Sequence, residues 1–461
     1  MSGLADTWEV SDDGKTFTFT LNASATWHDG QPVTAEDVVF SLTSLSDPRT
    51  KSIYASRFDS VVGIDAYRSG EADEVAGYRA QDASTFVVEL DAPMAEAVML
   101  GHLGSQAPIF PSHILGDVDP EALADQAFWT EPTVGSGPFK FKSYETDQYM
   151  ELSRHEGHHL GAPSFETLML RIGDQNTLQV QLATGEVDIA AVAPQDTESL
   201  ESNEAIEIYR YASTVAQALY VNLESEALQD IRVRQAMAHA LDRAMIAQIA
   251  LGDASLVCNG PVNAPEWAIS PTLTTYEFDP EKAKALLAEA GWDSSQKLRY
   301  RYPTGNAGRE MMGPLVQSAF KEVGIEVDLQ LTDFATLQSD ASSGAFDLLS
   351  LGNQNASDPS SLALQYISSA WPPDGVNYGH YSNQRIDEIF EQGAQESDQD
   401  IRADLYHEFQ DIVTEELPRI WVMLDPEVAA VNTRISGVEP SPSWGLLRSL
   451  YWNIFEWTVT A

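Results

Sequence analysis

The chain has 461 residues, 43% of them hydrophobic, and its 70 acidic and 26 basic residues give a formal net charge of -44. This length predicts two or three domains around a large buried core. Because so acidic a surface repels nucleic acid and anionic membranes, the composition excludes a polyanion-binding role. Cys258 is the single cysteine, which excludes an internal disulfide and offers little support for thiol catalysis.

Neither a membrane span nor an export signal is visible in the sequence. No apolar run reaches the ~18 to 20 residues that a membrane-spanning helix needs. The first ten residues, MSGLADTWEV, lack the basic and apolar regions of a signal peptide. Taken by itself, the sequence therefore predicts a soluble protein that is not exported.

The first 130 residues predict a mixture of strands and helices. Residues 12–14, Asp-Asp-Gly, are typical of a hairpin turn before an alternating strand from Thr16 to Leu21. Residues 34–37, Thr-Ala-Glu-Asp, resemble a capping box at the start of an amphipathic helix. A functional carboxylate pair is the rival interpretation of Glu36 and Asp37, but helix capping accounts for both.

A glycine-rich stretch, Gly135-Ser136-Gly137, indicates a boundary between lobes near residue 130. It lacks the spacing and the Lys-Ser/Thr ending of a phosphate loop. Beyond it, residues 178–194 predict a helix, a stop at Gly185 and a buried strand, and residues 230–250 predict one long helix. Further helices end at Gly291 and Gly324, the latter before a strand, so this half of the chain is predicted to be α/β.

The stretch from Gly344 to Pro359 changes abruptly from apolar to polar. Residues 346–351 predict a short buried strand, and its carboxyl end is crowded by Gly352, Asn353, Gln354, Asn355, Ser357 and Asp358. A ligand-facing loop on an α/β scaffold is one interpretation of so many amides, and a solvated turn is the other.

The sharpest enzyme-like motif is His155-Glu156-Gly157-His158-His159, which matches the H-E-x-x-H pattern of zinc hydrolases. In that chemistry His155 and His159 bind zinc from adjacent helical turns, and Glu156 activates water. The motif follows a predicted strand, contains Gly157 and precedes a proline, so its context argues against a helix and favours an exposed turn. No G-x-S-x-G elbow is present, and nothing selects a glycosidase.

A group of aromatic residues between positions 371 and 381 is more distinctive. Aromatic rings with a few amides are typical of a pocket for a partly apolar or sugar-like ligand, although such rings also pack in loops without any ligand. The residues concerned are Trp371, Tyr378, His380 and Tyr381.

Collinear segments along nearly the whole chain resemble the solute-binding proteins of ABC importers, in the family that includes oligopeptide-, dipeptide- and nickel-binding members. The most specific are ADTWEVSDDGKTFTFTL and WHDGQPVTAEDVVFSL; others are VGSGPFKF, LATGEVDIA, DIRVRQAMAHALDR, FDPEKAKALLAEAGW and NYGHYSNQRIDEIF. In that family the segment at residues 154–163 is a variable turn, which also argues against a zinc site.

The resemblance implies an α/β, two-lobed periplasmic-binding-protein-like (Venus-flytrap) fold with an additional α+β subdomain. We expect residues 1–130 to form the subdomain, residues 131–240 and 430–461 the first lobe, and residues 241–429 the second lobe. The implied protein is not an enzyme and needs no cofactor or metal. It is an extracytoplasmic monomer that captures a peptide or other small solute between its lobes and delivers it to a membrane permease and ATPase, without nucleic acid.

Two departures from the family pattern qualify this expectation. Family members begin with an export signal and an upstream first-lobe segment, which suggests that this sequence is truncated. Peptide-binding relatives also carry a Gly-Trp pair followed by an Asp that binds the peptide amino group. Here Gly352 keeps the glycine, but Asn353 replaces the Trp and Asn355 replaces the Asp, so sugars, opines and metal chelates stand beside peptides as candidate ligands.

The resemblance and the residue types together select the candidate ligand-binding residues. Arg309 is a candidate for a ligand carboxylate or an exposed surface residue, and Gln217 and Asn222 are first-lobe candidates. The full set is Arg309, Asn353, Gln354, Asn355, Asp358, Trp371, Tyr378, His380, Tyr381, Gln217 and Asn222. A zinc hydrolase and a descendant that has lost transport are the alternatives from other classes.

Overall fold

The computed structural model describes residues 3–52, 55–210, 215–253, 256–263, 265–305, 307–354, 358–425, 428–439 and 450–460. Within these ranges no helix combines the length and the apolar character that crossing a bilayer requires.

The N-terminal subdomain is built on a four-stranded antiparallel sheet in the order β1-β2-β4-β3. Its strands are β1 (Ala5–Val10), β2 (Thr16–Leu21), β3 (Tyr78–Ala80) and β4 (Thr85–Glu89), and its helices are α1 (Ala35–Ser46), α2 (Ile64–Arg68), α3 (Glu96–Gln106) and α4 (Ser112–Leu115). The alternating face of β2 buries Phe17, Phe19 and Leu21 under α1, which confirms the predicted hairpin.

The capping prediction at the start of α1 is also confirmed. The Asp37 carboxylate accepts hydrogen bonds from the Thr34 backbone at 2.9 Å and from the Ser112 hydroxyl at 2.6 Å. Since this buried side chain also accepts from the Trp27 ring at 3.2 Å, its role is structural.

Two three-stranded antiparallel sheets follow. The first, in the order β5-β6-β7, contains β5 (Phe139–Glu145), β6 (Tyr149–Arg154) and β7 (Thr167–Arg171). The second, in the order β8-β15-β9, contains β8 (Ile189–Ala191), β9 (Ile206–Arg210) and β15 (Val428–Asn432), with α5 (Gln175–Thr184) and α6 (Thr197–Glu201) beside it. A short pair, β16 (Ile435–Ser436) and β17 (Thr458–Val459), lies near the C-terminus.

The second lobe surrounds a five-stranded sheet in the order β12-β11-β13-β10-β14. Its strands are β10 (Val215–Val221), β11 (Lys297–Pro303), β12 (Glu326–Thr332), β13 (Leu348–Gln354) and β14 (Arg419–Asp425). Its helices are α7 (Ile231–Ala240), α8 (Arg243–Leu251), α9 (Pro280–Ala290), α10 (Ala307–Glu322), α11 (Phe334–Ser342), α12 (Ala363–Tyr366), α13 (Gln384–Gln395) and α14 (Gln399–Glu416). The largest hydrophobic cluster of the described chain forms around this sheet.

The long helix predicted over residues 230–250 is in fact two helices, α7 and α8. The break comes at Leu241, whose backbone is extended, and Asp242 then caps α8 by accepting a hydrogen bond from the Met245 backbone at 2.9 Å. An Asp in this position supplies the N-cap of a new helix. The helical spacing of apolar residues therefore continues along the sequence, although the helix axis is broken.

The sheet pairing differs from the lobe boundary expected at residue 240. Strand β10 is hydrogen-bonded between β13 and β14, so residues 215–221 lie in the sheet of the second lobe. The chain passes from the β8-β15-β9 sheet to this sheet between Arg210 and Val215, and returns between Asp425 and Val428. An apolar strand such as β10 carries no sequence signal for the sheet that it joins.

Candidate functional site

The polar stretch that follows the predicted strand of residues 346–351 is itself mostly strand. Gly352, Asn353 and Gln354 belong to β13, where they pair with Gln217, Ala216 and Val215 of β10. The prediction of a loop there was wrong for these three residues, because the ladder to β10 extends to the end of β13. Asn355 and Ser357 lie outside the described residues, as do the side chains of Asn353 and Gln354.

The sheet topology gathers several chain segments at one edge. Strands β11 and β13 are parallel, whereas β10 is antiparallel to both β13 and β14. The start of β10 therefore meets the carboxyl ends of β13 and β14, and α10 begins just beyond the carboxyl end of β11. This edge is the usual position for a ligand site in an α/β sheet.

Three side chains from separate elements meet at this edge, and we call Gln217, Arg309 and Asp425 the edge cluster. Arg309 donates from Nε to Oε1 of Gln217 at 2.9 Å. Gln217 in turn donates from Nε2 to Oδ2 of Asp425 at 2.8 Å. The Gln217 side chain is fully buried, so both ends of its amide are held in place and the two charged groups are fixed relative to each other.

Burial and charge act in opposite directions on Arg309. Burial lowers the pKa of its guanidinium, and the nearby Asp425 carboxylate raises it. A half-buried arginine beside a carboxylate and an amide can bind a carboxylate of a solute through parallel N–H groups. The edge cluster therefore offers both a cationic and an anionic partner to a polar ligand.

The absence of a side chain at Gly352 leaves room for the edge cluster. A Cβ atom at Gly352 would lie 2.6 Å from a terminal nitrogen of Arg309 and 2.9 Å from the Val215 side chain. These distances are far below van der Waals contact, so the position allows Arg309 to cross the strand only because it has no side chain.

Asp358 does not join the edge cluster. Its carboxylate accepts two hydrogen bonds from the Arg402 guanidinium, at 2.7 and 2.8 Å, and both side chains are almost completely buried. It also caps the following 3-10 helix by accepting from the Ser360 backbone. The predicted ligand role of Asp358 is at odds with this geometry, because its oxygens are already engaged.

The predicted aromatic residues lie at the other end of the sheet. Asn222, just after β10, donates to the Phe346 carbonyl at 2.9 Å, and the Gly379 carbonyl accepts from the Leu223 backbone. Asn222 is five positions after Gln217, which is about 17 Å along a strand. Asn222 and the segment around Gly379 are therefore far from the edge cluster.

Within that group the rings and polar atoms contact each other. Trp371 stacks on His380 with ring centroids 4.9 Å apart, and its ring donates to the Tyr381 carbonyl at 3.0 Å. The Tyr381 hydroxyl donates to Glu416 at 2.5 Å, and Tyr378 packs against Tyr220. These contacts match the alternative of aromatic packing, and they do not place the rings beside Arg309.

The H-E-x-x-H segment forms turns and no helix, so its histidines do not have zinc-site geometry. His155 donates from Nδ1 to the Gly137 carbonyl at 3.2 Å, and Glu156 pairs with Arg154 at 2.6 Å. His159 is near the Gly3 carbonyl instead, with Nε2 at 3.1 Å. Among the described residues no set of three His, Cys, Asp or Glu side chains is arranged to hold a metal ion.

Sequence reasoning missed Asp425, the anionic member of the edge cluster. It ends the apolar run Arg419–Asp425, RIWVMLD, at the carboxyl end of a buried strand. A lone carboxylate in that position is a usable signal, since the carboxyl ends of such strands collect ligand-binding residues.

Comparison with known proteins assigns the family. The family model for bacterial extracellular solute-binding proteins, family 5 Middle, matches residues 1–373. The chain belongs to this family. A putative ABC transporter peptide-binding protein of Brucella ovis is 30% identical over 383 residues, which cover 81% of this chain and 69% of the relative.

Two solved structures agree with this assignment at the level of fold. The oligopeptide-binding protein AppA of Bacillus subtilis, in complex with a nonapeptide, is similar with a TM-score of 0.88 and 23% identity, covering all of this chain and 90% of that one. NikZ of Campylobacter jejuni, in complex with Ni(L-His), is similar with a TM-score of 0.86 and 23% identity, covering 99% and 90% of the two chains. This family 5 protein therefore has the two-lobed α/β fold of periplasmic binding proteins.

Proposed function

We propose that this family 5 protein is the receptor of an ABC importer and binds a small zwitterionic solute, with a peptide as the leading candidate, at the edge cluster. The observation that carries the proposal is the fixed arrangement of Arg309, Gln217 and Asp425 at the carboxyl edge of the second-lobe sheet. Arg309 pairs with the carboxylate of the solute, and Asp425 pairs with its ammonium group.

The position of this edge supports capture between two lobes. The two chain connections between the lobes follow Arg210 and Asp425, and Asp425 is itself the last residue of β14. A solute held there contacts both lobes, so its binding energy favours their closure. The similarity to a putative ABC transporter peptide-binding protein of Brucella ovis supports delivery to an ABC permease, and membership of an extracellular solute-binding family supports capture outside the cytoplasm.

A non-peptide solute is the second candidate, and one observation favours it. The segment from Gly352 to Asn355 has amides at the positions where the resemblance implies a Trp and an Asp in peptide-binding members of the family. Recognition of a sugar, opine or metal chelate does not depend on an ammonium group. The absence of an Asp carboxylate at position 355 is therefore no disadvantage for binding such a solute.

Calorimetric titration with one tripeptide in three forms tests the proposal: unmodified, amidated at its C-terminus and acetylated at its N-terminus. We expect the unmodified form to bind, and each blocked form to bind at least tenfold more weakly, because each loses one charge-assisted contact. Arg309→Ala should abolish the preference for the free carboxylate. Arg385→Ala, which removes a surface arginine that pairs with Glu408, is the matched control.

The outcomes separate the two candidates. If no tripeptide binds but a sugar, an opine or a nickel-histidine chelate does, the ligand is not a peptide. If Arg309→Ala and Arg385→Ala bind every solute as the unaltered protein does, the edge cluster is not the binding site.

A further inference from the structure

A cavity of about 680 Å³ lies between the N-terminal subdomain and the second lobe. Its subdomain wall includes Pro93, Met94 and Val98, and its second-lobe wall includes Leu364, Ile367 and Phe390. A hydrogen bond from the Ala95 backbone to the Ala394 carbonyl, at 2.9 Å, joins the two walls. The volume is typical of small-molecule sites, which span roughly 300 to 1,000 Å³.

This cavity is separate from the edge cluster. Neither Gln217 nor Arg309 nor Asp425 lines it. The second-lobe wall is formed by residues between positions 360 and 395, which follow β13 and Asp358 in the chain.

The charged Arg68 in the wall is already engaged. Its guanidinium pairs with Asp59 at 2.6 Å and donates to the Ala55 and Ser46 carbonyls at 2.6 and 3.1 Å. Arg57, Asp374 and Glu391 also line the cavity, so charges of both signs are present, but its surface is mainly apolar, which favours a mainly apolar ligand over a strongly charged one.

Among the buried polar atoms of the cavity walls, Nδ1 of His102 and Oγ of Ser361 have no hydrogen-bond partner. They come from opposite walls, one from α3 and the other from the 3-10 helix after Asp358. Buried polar atoms almost always have a partner, and leaving one unpaired has a cost in stability. A polar group of a bound molecule would therefore supply the missing hydrogen-bond partner to the unpaired atom on each wall.

The protonation state of the His102 ring determines which kind of polar group it can bind. Burial lowers the pKa of His102 to about 4, and the ring also makes a hydrogen bond to the backbone of Arg57. The ring is therefore neutral at pH 7, and with its other nitrogen donating, Nδ1 is an acceptor. The Ser361 hydroxyl can either donate or accept.

We propose that this cavity is a second binding site for a mainly apolar, uncharged molecule that carries an N–H or O–H group for His102 Nδ1. The apolar part contacts Met94, Leu364 and Phe390, and the polar part bridges His102 and Ser361. Because such a molecule contacts both walls, it holds the subdomain against the second lobe. Its effect on solute capture rests on the proposed function, whereas its binding does not.

Indole and 1-methylindole test the proposal, since the two rings differ in the N–H group that His102 would accept. Binding is measured by titration calorimetry and by ring proton shifts of the probe in NMR. We expect indole to bind at least fivefold more tightly than 1-methylindole. Ala363→Phe, which fills the cavity, should abolish the binding of both probes. His102→Leu should remove the preference for indole, and His102→Asn, which keeps an acceptor, should retain it.

Arg309→Ala distinguishes this site from the proposed solute site. We expect this variant to bind indole as the unaltered protein does, even where it has lost solute binding. Failure of indole to bind, equal binding after Ala363→Phe, or loss of indole binding in Arg309→Ala would each overturn the proposal. The last result would mean that the cavity and the edge cluster form one site.

Discussion

Arg309 donates a hydrogen bond from Nε to Oε1 of Gln217 across 2.9 Å, although 92 positions separate the two residues in the chain. Gln217 in turn donates a hydrogen bond to Asp425, which lies 208 positions further along the chain. The edge cluster thus exists only in the folded sheet. Its geometry depends on β10, β13 and β14 keeping their register.

Replacing Gly352 with Ala should disrupt this cluster directly. The new Cβ atom would lie 2.6 Å from a terminal nitrogen of Arg309 and 3.1 Å from Nε2 of Gln217, so both side chains must move. We expect solute affinity to fall at least tenfold, and the free energy of unfolding to fall by about 1 to 3 kcal/mol from overpacking. Calorimetric titration and urea unfolding measure the two effects.

Gly104→Ala is the matched control for that substitution. Gly104 lies in α3, its backbone does not need a positive φ, and an added Cβ meets nothing within 4 Å. Alanine is the better helix former by about 1 kcal/mol, so this variant should be more stable and bind solute normally. If Gly352→Ala were equally harmless, Arg309 would not be held as described.

The buried pair of Asp358 and Arg402 should contribute strongly to stability. Asp358→Asn leaves the Arg402 charge without its partner in an apolar surrounding, and we expect a loss of about 3 to 5 kcal/mol in the free energy of unfolding. Glu408→Gln breaks another pair with two hydrogen bonds, in which Arg385 donates from Nε and a terminal nitrogen, but both side chains are substantially exposed. Its loss should stay below about 1 kcal/mol. If urea unfolding showed that Asp358→Asn and Glu408→Gln lose equal stability, burial of the Asp358–Arg402 pair would not have the structural role described.

These contacts explain which predictions the sequence allowed. Periodicity and capping are local, so the β1-β2 hairpin and the start of α1 were predicted correctly from residues such as Phe17 and Asp37. The fold class came from a collinear resemblance, which reports on the whole chain at once.

The arrangement of the candidate site depends on contacts that no local pattern encodes. Arg309 and Gln217 were both named, but nothing in the sequence shows that they touch or that Asp425 joins them. Trp371 and Tyr381 were named with them because aromatic residues are typical of pockets, yet the sheet places them at its opposite end. Residue type predicted candidates, and strand order decided which of them meet.

His28 should make stability depend on pH. Its Nδ1 accepts from the Gly135 backbone and its Nε2 donates to the Gly137 carbonyl, both at 3.0 Å. This arrangement needs a neutral ring, and burial lowers its pKa from 6.5 to about 4. The unfolded chain therefore binds a proton at a higher pH than the folded chain does, and stability is lost as the pH falls from about 6.5 to about 4.

The variant His28→Asn isolates this effect, because Asn keeps a donor and an acceptor but does not titrate. Between pH 6.5 and 4 the unaltered protein should lose about 1 to 2 kcal/mol more stability than the variant, allowing for the partly exposed ring. Urea unfolding at several pH values gives the comparison. His155 and His158, whose pKa values are also lowered by burial, remain in both proteins, so the difference between the two pH profiles reports on His28 and its interaction with them. Parallel pH profiles would show that His28 titrates alike in both states.

Cys258 should be unreactive in the folded protein. Its side chain is 1% exposed, its thiol donates to the Gly260 carbonyl at 3.2 Å, and burial raises its pKa to about 11. At pH 8 about one thiol in a thousand is ionised, and the thiolate is the reactive form. We expect an aromatic disulfide reagent to label Cys258 only as fast as the chain unfolds, with the rate rising steeply in urea. A variant that combines Cys258→Ser with Ser202→Cys, which moves the thiol to an exposed position, should react at once. Rapid labelling of Cys258 without urea would mean that the residues packed around it, next to β14, move apart far more readily than their packing allows.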